Sequence, residues 1–199
     1  MHTAKKFGKE GFKVALISRR IESLQQYENE LNNDGIEAKG FAGDASSVES
    51  LRTAIGGVIK TYGKMDVLLY NAVSGKTGKP TKLSADRLVE DFKVSVAGAL
   101  VSVKEVIPFM ENGTILLTGG GLALQPYADY AFLAIGKAGI CNLAYSLHQE
   151  LGPKGIYVGT LTIKGVVKED TYFSPANIAD AFYRMYENQN ETKILYEES

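Results

Sequence analysis

The sequence is poor in the residues that build disulfide-bonded or metal-centred proteins. It contains one cysteine, Cys141, and two histidines, His2 and His148. A single cysteine excludes an internal disulfide framework and is typical of a protein that stays in a reducing compartment. Two histidines and one cysteine form no cluster with the ligand spacing of a zinc site. We therefore expect a cytoplasmic protein without a zinc-type site, and no spacing of ligands suggests a carboxylate-based metal site.

Long apolar runs and an excess of charge of one sign are also lacking. No run approaches the roughly 20 apolar residues of a membrane span, and no signal-peptide pattern is present. The net charge of -1 gives no reason to expect a nucleic acid or an anionic membrane as a partner. With 199 residues, of which 45% are hydrophobic, the chain has the size and composition of one globular domain. We expect a single domain over residues 1–199.

Apolar segments of strand length alternate with amphipathic helical segments, and the connections between them are short. This pattern is typical of an α/β protein with a parallel sheet. The predicted strands are 12–18, 36–42, 65–70, 113–118, 155–162 and 192–196. The predicted helices include 21–33 and a helix from Pro175 to about 187. Another helix opens at a capping box over 46–49, and a helical region runs from Ser84 to about 110 with an irregularity near 95–98. A long helix has Pro126 in its first turn and ends near 151.

The beginning of the chain lacks two parts of a dinucleotide-binding domain. Such a domain begins with a strand and a Gly-rich turn, and the helix that follows meets the cofactor pyrophosphate with its N-terminus. Residues 1–11 are similar to the later part of that helix, with no strand or Gly-rich turn before them. We therefore predict a Rossmann-like, doubly wound, mainly parallel sheet that is missing its first strand, in a domain that is N-terminally incomplete.

The segment from Thr118 to Lys137 joins a strand end, a run of glycines and a helix. It resembles the active-site strand, loop and helix of the short-chain dehydrogenase/reductases. In that family a tyrosine stands four residues before the lysine, and a serine stands thirteen residues before the tyrosine. Here these positions hold Leu133 and Gly120. The resemblance implies the family's architecture without its usual proton donor and carbonyl-polarising hydroxyl.

The resemblance also implies where the missing first strand belongs. In the family order it lies in the middle of the sheet, between the strands predicted at 12–18 and 65–70. Without it, two apolar strand edges either stay unpaired or pair with each other.

Cofactor contacts are implied first at the adenosine end. Arg19 and Arg20 stand where the family binds the adenosine ribose, and guanidinium groups suit a 2′-phosphate, which favours NADP. The alternative is that both arginines are simply solvated. Asp44, followed by Ala45, matches an aspartate that reaches the adenine amino group, and its alternative role is a helix cap beside Ser46.

Further positions match the rest of the cofactor site. Asn71 and Ala72 resemble the turn that backs the cofactor, although an ordinary turn at a strand end would look the same. Gly165 is kept in the turn beside the nicotinamide amide, where Lys164 departs from the pattern. The family's lysine, here Lys137, binds the nicotinamide ribose. The implied cofactor is NADP or NAD, and the absent Gly-rich turn counts against its binding.

Lys137 also stands out by its helical spacing. It shares one helix stripe with a set of apolar residues: Leu133, Ile140, Ala144, Leu147 and Leu151. A charged amine on such a stripe is costly unless it reaches solvent or a partner. Two alternatives remain: the side chain extends to the surface, or it keeps the family's ribose contact.

Three other residues are weak candidates for moving a proton. Tyr130 precedes Lys137 by seven residues, about 10 Å along a helix axis, which is far for a substitute tyrosine. Thr118 would point to the same face of its strand as Gly120. Ser95 replaces a family asparagine that helps to hold a water. The glycine run 119–121 is interpreted as a flexible turn rather than a phosphate cradle, because no helix opens directly after it.

These observations predict an NAD(P)-dependent oxidoreductase of the short-chain type, leaning to NADP(H), with atypical or lost catalysis. The alternative is a non-catalytic Rossmann-like protein that acts as a nucleotide sensor or a structural partner. The resemblance further implies a small-molecule substrate of unknown identity. It also implies a homodimer or homotetramer formed through the helices at about 84–110 and 126–151.

Overall fold

A computed structural model of the chain describes residues 1–198, and all of its strand pairs are parallel. Strands β1 and β2 pair in one sheet, and β3 to β6 form a second sheet in the order β3-β4-β5-β6. The strands are β1 Val14–Ser18, β2 Ala38–Ala42, β3 Val67–Tyr70, β4 Thr114–Thr118, β5 Tyr157–Ile163 and β6 Lys193–Tyr196. The predicted α/β architecture with parallel strands is confirmed.

Helices connect the strands in the expected alternation. They are α1 His2–Lys9, α2 Ile21–Asn33, α3 Val48–Tyr62, α4 Ala85–Phe92, α5 Gly98–Val106, α6 Ala131–Leu151 and α7 Pro175–Asn188. A π-helical turn over Lys93–Ala97 joins α4 to α5 and confirms the irregularity predicted near Ser95. Among these helices of residues 1–198, none is both long enough and apolar enough to cross a membrane.

Two apolar layers cover the four-stranded sheet. On one face, Ile115 and Leu117 of β4 belong to a core formed with α3, α5 and α6. On the other face, Leu116 of β4 and Leu161 of β5 pack with α7 and with Phe7 of α1. Because successive strand residues point to opposite faces, this alternation buries β4 and β5 on both sides. The sheet is therefore doubly wound, as predicted.

Strands β1 and β3 do not pair with each other, although both line the same cavity of about 1430 Å³. The sequence allowed the facing edges of these strands either to stay unpaired or to pair with each other, and in the structure they are unpaired. The apolar side chains of β1 and β3 are mostly half-buried, and Ile17 is exposed, whereas nearly all of β4 and β5 is buried. The two sheets are thus separate at the position where the resemblance implies the family's first strand.

The predicted start of the long helix at Pro126 is wrong, because α6 begins at Ala131. The preceding residues form a turn in which the Tyr130 amide donates to the Tyr127 carbonyl at 2.9 Å. The amide of Gly78 donates to the Asp129 carbonyl at 2.7 Å and holds this turn against a distant loop. The hydrogen bond between Gly78 and Asp129 therefore competes with helix formation. A local sequence pattern cannot predict it, because its two residues are far apart in the chain.

The predicted capping box at the start of α3 is also displaced by one residue. Ser47, not Ser46, caps the helix, and its side-chain oxygen accepts from the Ser50 amide at 3.2 Å. Ser46 instead donates its hydroxyl to Asp44. Two adjacent serines offer two caps, and the carboxylate of Asp44 selects between them.

Candidate active site

The carboxyl ends of β4 and β5 lie side by side and bring the glycine run next to the helix that carries Lys137. The Lys137 Nζ donates to the backbone carbonyl of Thr118, the last residue of β4, at 2.8 Å. Burial disfavours the charged ammonium and lowers the pKa of Lys137 to about 8. The structure therefore places a hydrogen-bonded amine with a lowered pKa at the carboxyl end of β4.

Lys137 does not extend to the surface, which was one of the two alternatives for its helix stripe. The stripe residues that follow it, Ile140, Ala144, Leu147 and Leu151, are buried against the sheet. The lysine turns inward and uses a main-chain carbonyl as its partner. This contact offsets part of the cost of burying the ammonium.

Gly120 leaves the stem of Lys137 uncovered. A β-carbon at this position would lie 3.3 Å from Lys137 Cε and about as close to the two carbons before it. The backbone of Gly120 is extended, with φ of -175°, so any residue could adopt it. The absence of a side chain here therefore matters for access to Lys137 and not for backbone strain.

Leu133, at the position of the family's tyrosine, is covered by the loop that follows β3. A β-carbon on Gly75 would lie 2.6 Å from the β-carbon of Leu133, so the two backbones are in close approach. The leucine side chain has no group that can donate or accept a proton. Leu133 therefore does not supply the proton that a tyrosine would give at this position.

The buried carboxylate of Asp91 holds that loop in place. It accepts from the Ser74 hydroxyl at 2.6 Å, from Arg87 Nη2 at 2.7 Å and from the Lys76 amide at 3.2 Å. Burial works against ionisation of Asp91, but these three hydrogen bonds hold its pKa below the ordinary value. The loop over Leu133 is thus fixed by a charged, hydrogen-bonded anchor.

Ser95 reinforces the same loop from the π-helical turn. Its hydroxyl accepts from the Ser74 amide at 3.0 Å and donates to the Ser74 carbonyl at 2.9 Å. The hydroxyl proton is therefore already used within the protein. Ser95, a weak candidate for proton transfer, supports the loop next to Leu133 in this structure.

The hydroxyl groups of the other two weak candidates do not bond to the amine of Lys137. Tyr130 lies immediately before α6 and is 44% exposed. Thr118 meets Lys137 through its carbonyl oxygen. The Thr118 hydroxyl is buried without a hydrogen-bond partner among the described residues.

Six of the residues predicted to bind a cofactor line one cavity. They line the end of the cavity between β1 and β3 at the carboxyl ends of β1, β2 and β3: Arg19, Arg20, Asp44, Ala45, Asn71 and Ala72. Lys137 and Gly165 lie outside this lining, at the carboxyl ends of β4 and β5. In open α/β sheets, ligands bind in the crevice outside these strand ends.

Asp44 makes the contacts expected of a local cap. Its Oδ1 accepts from the Ser46 amide at 2.9 Å and from the Ser46 hydroxyl at 2.7 Å. The bond from the Ser46 amide, followed by that from its hydroxyl, lowers the pKa of Asp44 against a smaller effect of burial. Both interpretations of Asp44 remain compatible with its place at the cavity mouth.

Gly165 is a glycine for a packing reason. A β-carbon at this position would collide with the ring of Phe173. The neighbouring Lys164 forms an ion pair with Glu197, and its amide donates to the Tyr196 carbonyl at 2.9 Å. This turn is therefore fixed to β6 and to the segment before α7.

Sequence reasoning missed the Asp91 anchor and the loop that it holds. Arg87 and Asp91 are four residues apart on α4, a spacing that allows an ion pair on one helix face. That signal was available. The burial of Asp91, and its bonds to Ser74 and Lys76, depend on a loop whose path no local pattern predicts.

The fold and this arrangement define a class, a doubly wound α/β domain with a ligand crevice at the strand ends. The family model of the short chain dehydrogenases matches residues 1–172, and the chain belongs to this family. Within residues 1–198, no group of acidic, histidine and cysteine side chains is arranged to hold a metal ion.

Individual relatives have low sequence identity to this chain. A putative ketoacyl reductase from Streptomyces coelicolor is 28% identical over 169 residues, which cover 81% of this chain and 64% of that protein. The chain thus spans less than two thirds of that relative's length. A dehydrogenase/reductase structure from Sinorhizobium meliloti superposes with a TM-score of 0.90 at 20% identity, over 98% of this chain and 87% of the other. A metagenomic short-chain oxidoreductase in complex with NADP has a TM-score of 0.87 at 24% identity, over 98% and 89%.

The buried amine of Lys137 predicts a pH-dependent stability. Its pKa is about 8 in the folded chain and 10.5 as a free lysine, so between these values the unfolded state binds more protons. The cost of burying the ammonium is fully present below pH 8 and is relieved as pH rises towards 10.5. We expect the free energy of unfolding of the native chain, relative to that of Lys137→Met, to rise by at most about 1.4 kcal/mol per pH unit in this window. Urea unfolding of both proteins at a series of pH values measures the difference.

The exposed Lys104→Met variant is the matched control, because it also deletes one lysine charge. The comparison separates the burial of the amine from the loss of one charge. A difference between the native chain and Lys137→Met that does not change between pH 8 and 10.5 would show that burial does not shift the pKa of Lys137.

Proposed function

We propose that this chain is an NADP(H)-leaning oxidoreductase of the short-chain family with an atypical proton path. The observation that carries the proposal is the convergence of six predicted cofactor residues at one cavity mouth, with Lys137 at the neighbouring strand ends. The chain spans only part of the relative it matches, so its activity is inferred from this geometry together with the family.

The preference for NADP(H) rests on Arg19 and Arg20. Both follow β1 directly, both are exposed, and neither forms an ion pair with another residue of the described chain. Free guanidinium groups at this end of the crevice fit the 2′-phosphate of NADP, which a carboxylate would repel. The similar metagenomic oxidoreductase that binds NADP supports this preference.

The atypical proton path rests on Lys137. The cofactor would supply the hydride, and a carbonyl that accepts it also needs a proton. An ammonium whose pKa is about 8 is matched to give that proton near neutral pH. Gly120 leaves its stem accessible, and Leu133 offers no competing donor. Lys137 therefore takes the place of the tyrosine in this proposal.

One observation favours the non-catalytic alternative, a nucleotide sensor or structural partner. The loop at Gly75 lies directly on Leu133, and Asp91 anchors that loop. The loop therefore covers the first part of the Leu133 side chain, and that side chain supplies no hydroxyl.

Nucleotide binding is tested by titration with NADPH and with NADH, followed by the fluorescence of the reduced nicotinamide. We expect NADPH to bind at least about tenfold more tightly than NADH, since each tenfold corresponds to about 1.4 kcal/mol. The variant Arg19→Gln with Arg20→Gln should lose this preference. Lys104→Gln, which also removes charge but lies on α5, should keep it. The absence of saturable binding of either nucleotide would favour the non-catalytic alternative.

Catalysis is tested by restoring the family's hydroxyl groups. The variant Leu133→Tyr with Gly120→Ser should raise the NADPH-dependent reduction of an activated aldehyde by about 10²–10⁴-fold, the usual contribution of a positioned proton donor. The native chain should show a low rate that falls as pH rises above about 8, because the Lys137 ammonium is then lost. A native rate that is unchanged between pH 7 and 9 would count against Lys137 as the donor.

We also propose a homodimer or homotetramer. Exposed apolar side chains on α4, α5 and α6 support it, among them Phe92, Leu100 and Ile135. Analytical ultracentrifugation at micromolar concentration should show a dimer or tetramer, and Leu100→Asp should shift it to monomer. Leu124→Asp, at an exposed apolar position outside these helices, is the control. A monomeric native chain would contradict the proposal.

A further inference from the structure

The amine of Lys137 is held in place by an uncharged partner. Its Nζ donates to the Thr118 carbonyl at 2.8 Å, and within residues 1–198 none of the ion pairs includes this lysine. A carbonyl oxygen accepts from an ammonium and from a neutral amine, because both carry N–H groups. A carboxylate partner would instead favour the charged form. The nitrogen can therefore keep its position when it loses a proton, and its lone pair is then free to react.

Lys164 beside the same glycine run has the opposite kind of partner. A β-carbon on Gly121 would lie 3.0 Å from Lys164 Cγ, and one on Gly120 would lie 3.3 Å from Lys137 Cε. The two lysine side chains thus border adjacent glycines. The amine of Lys164 forms an ion pair with the carboxylate of Glu197, which favours its charged form. One turn therefore offers two lysines that differ in the charge of their partner.

The surroundings of Lys137 favour the neutral amine further. The side chain is partly buried on an apolar stripe of α6, and burial lowers the pKa of Lys137 to about 8, against 10.5 for a free lysine. At pH 7 its neutral fraction is therefore about 300-fold larger than that of a free lysine. The neutral amine is the nucleophilic form, and lysines activated by desolvation in apolar surroundings attack carbonyl groups.

The side chains around the glycine run leave room next to this amine. Gly120 places no side chain over the Cγ, Cδ and Cε atoms of Lys137. Leu133 lies one turn earlier on α6 and has no hydroxyl that could donate to the nitrogen lone pair. The lone pair thus has no competing donor at the position where a tyrosine would supply one.

We propose that Lys137 is a nucleophile that forms a covalent imine with an uncharged aldehyde bound next to Gly120. The lone pair of the amine attacks the carbonyl carbon, a C–N bond forms, and one N–H proton passes to the oxygen through solvent. The hydroxyl of this adduct then leaves with the second N–H proton as water, and the C=N bond forms. Amine and aldehyde thus give imine and one water, without an oxidant or a reductant.

This activity is separate from the proposed reduction by NADPH. Imine formation uses the neutral amine of Lys137 and needs no nucleotide, whereas the reduction uses the ammonium as a proton donor. A chain that fails to bind NADPH can still form the imine. A chain that reduces aldehydes with NADPH can do so without forming it. The failure of one proposal therefore leaves the other standing.

Reductive trapping without nucleotide tests the proposal. The probe is benzaldehyde with sodium cyanoborohydride at pH 7, which converts an imine into a stable secondary amine, and peptide mass mapping gives the labelling rate of each lysine. We expect Lys137 to be labelled at least about tenfold faster than the exposed Lys104 and the ion-paired Lys164. Restricted access to a partly buried group offsets part of the roughly 300-fold advantage in neutral amine.

Two glycine variants provide the matched comparison. The backbone of Gly120 is extended, so Gly120→Val introduces no backbone strain, and its side chain covers the stem of Lys137. This variant should slow the labelling of Lys137 by about tenfold or more. Gly56→Val adds the same side chain on α3, where a β-carbon meets open space, and should leave the rate unchanged. Urea unfolding checks that both variants are folded.

Three outcomes would overturn the proposal. Labelling of Lys137 no faster than that of Lys104 would show that the amine is not an activated nucleophile. Equally fast labelling of Lys164 would show that the uncharged partner does not set the reactivity. An unchanged rate in Gly120→Val would show that the aldehyde does not bind next to this glycine. The comparison of the three lysines uses the native chain and does not depend on either variant.

Discussion

The structure depends on the burial of β4 and β5 between two helical layers. Ile115, Leu116, Leu117, Val158 and Leu161 are fully buried, and together they join the core under α3, α5 and α6 to the core under α7. The carboxyl ends of this pair of strands position Lys137 and the turn at Gly165. Thr118 offers its carbonyl to Lys137 because β4 ends there, and Gly165 meets Phe173 because β5 ends two residues earlier.

Hydrogen bonds hold the site around Lys137 in place, although Leu133 and Gly120 carry no hydroxyl group. The loop at Ser74 is bonded to Ser95 by two hydrogen bonds and to the buried carboxylate of Asp91 by a third. Buried polar networks of this kind are costly unless each member is satisfied, and here the charged member has three donors. These hydrogen bonds therefore fix the loop that packs on Leu133, the residue at the position of the family's tyrosine.

Local signals were sufficient where local interactions decide the structure. The helix Ile21–Asn33 was predicted with its observed bounds, because Asn32-Asn33-Asp34-Gly35 is a strong stop and Gly35 has the positive φ of 78° that such a stop requires. The start of α6 was wrong because a bond from Gly78 decides it. The position of Lys137 followed from sequence, but the choice between solvent and the Thr118 carbonyl needed the three-dimensional path of β4. Asp91 was missed for the same reason.

The partner of the Lys137 amine is a main-chain carbonyl and not a carboxylate. It carries no charge, and a substitution of the Thr118 side chain would leave it in place, because every residue contributes the same carbonyl. The setting of the amine is thus encoded in the backbone path of β4, and it passes unchanged to any sequence that ends this strand in the same way.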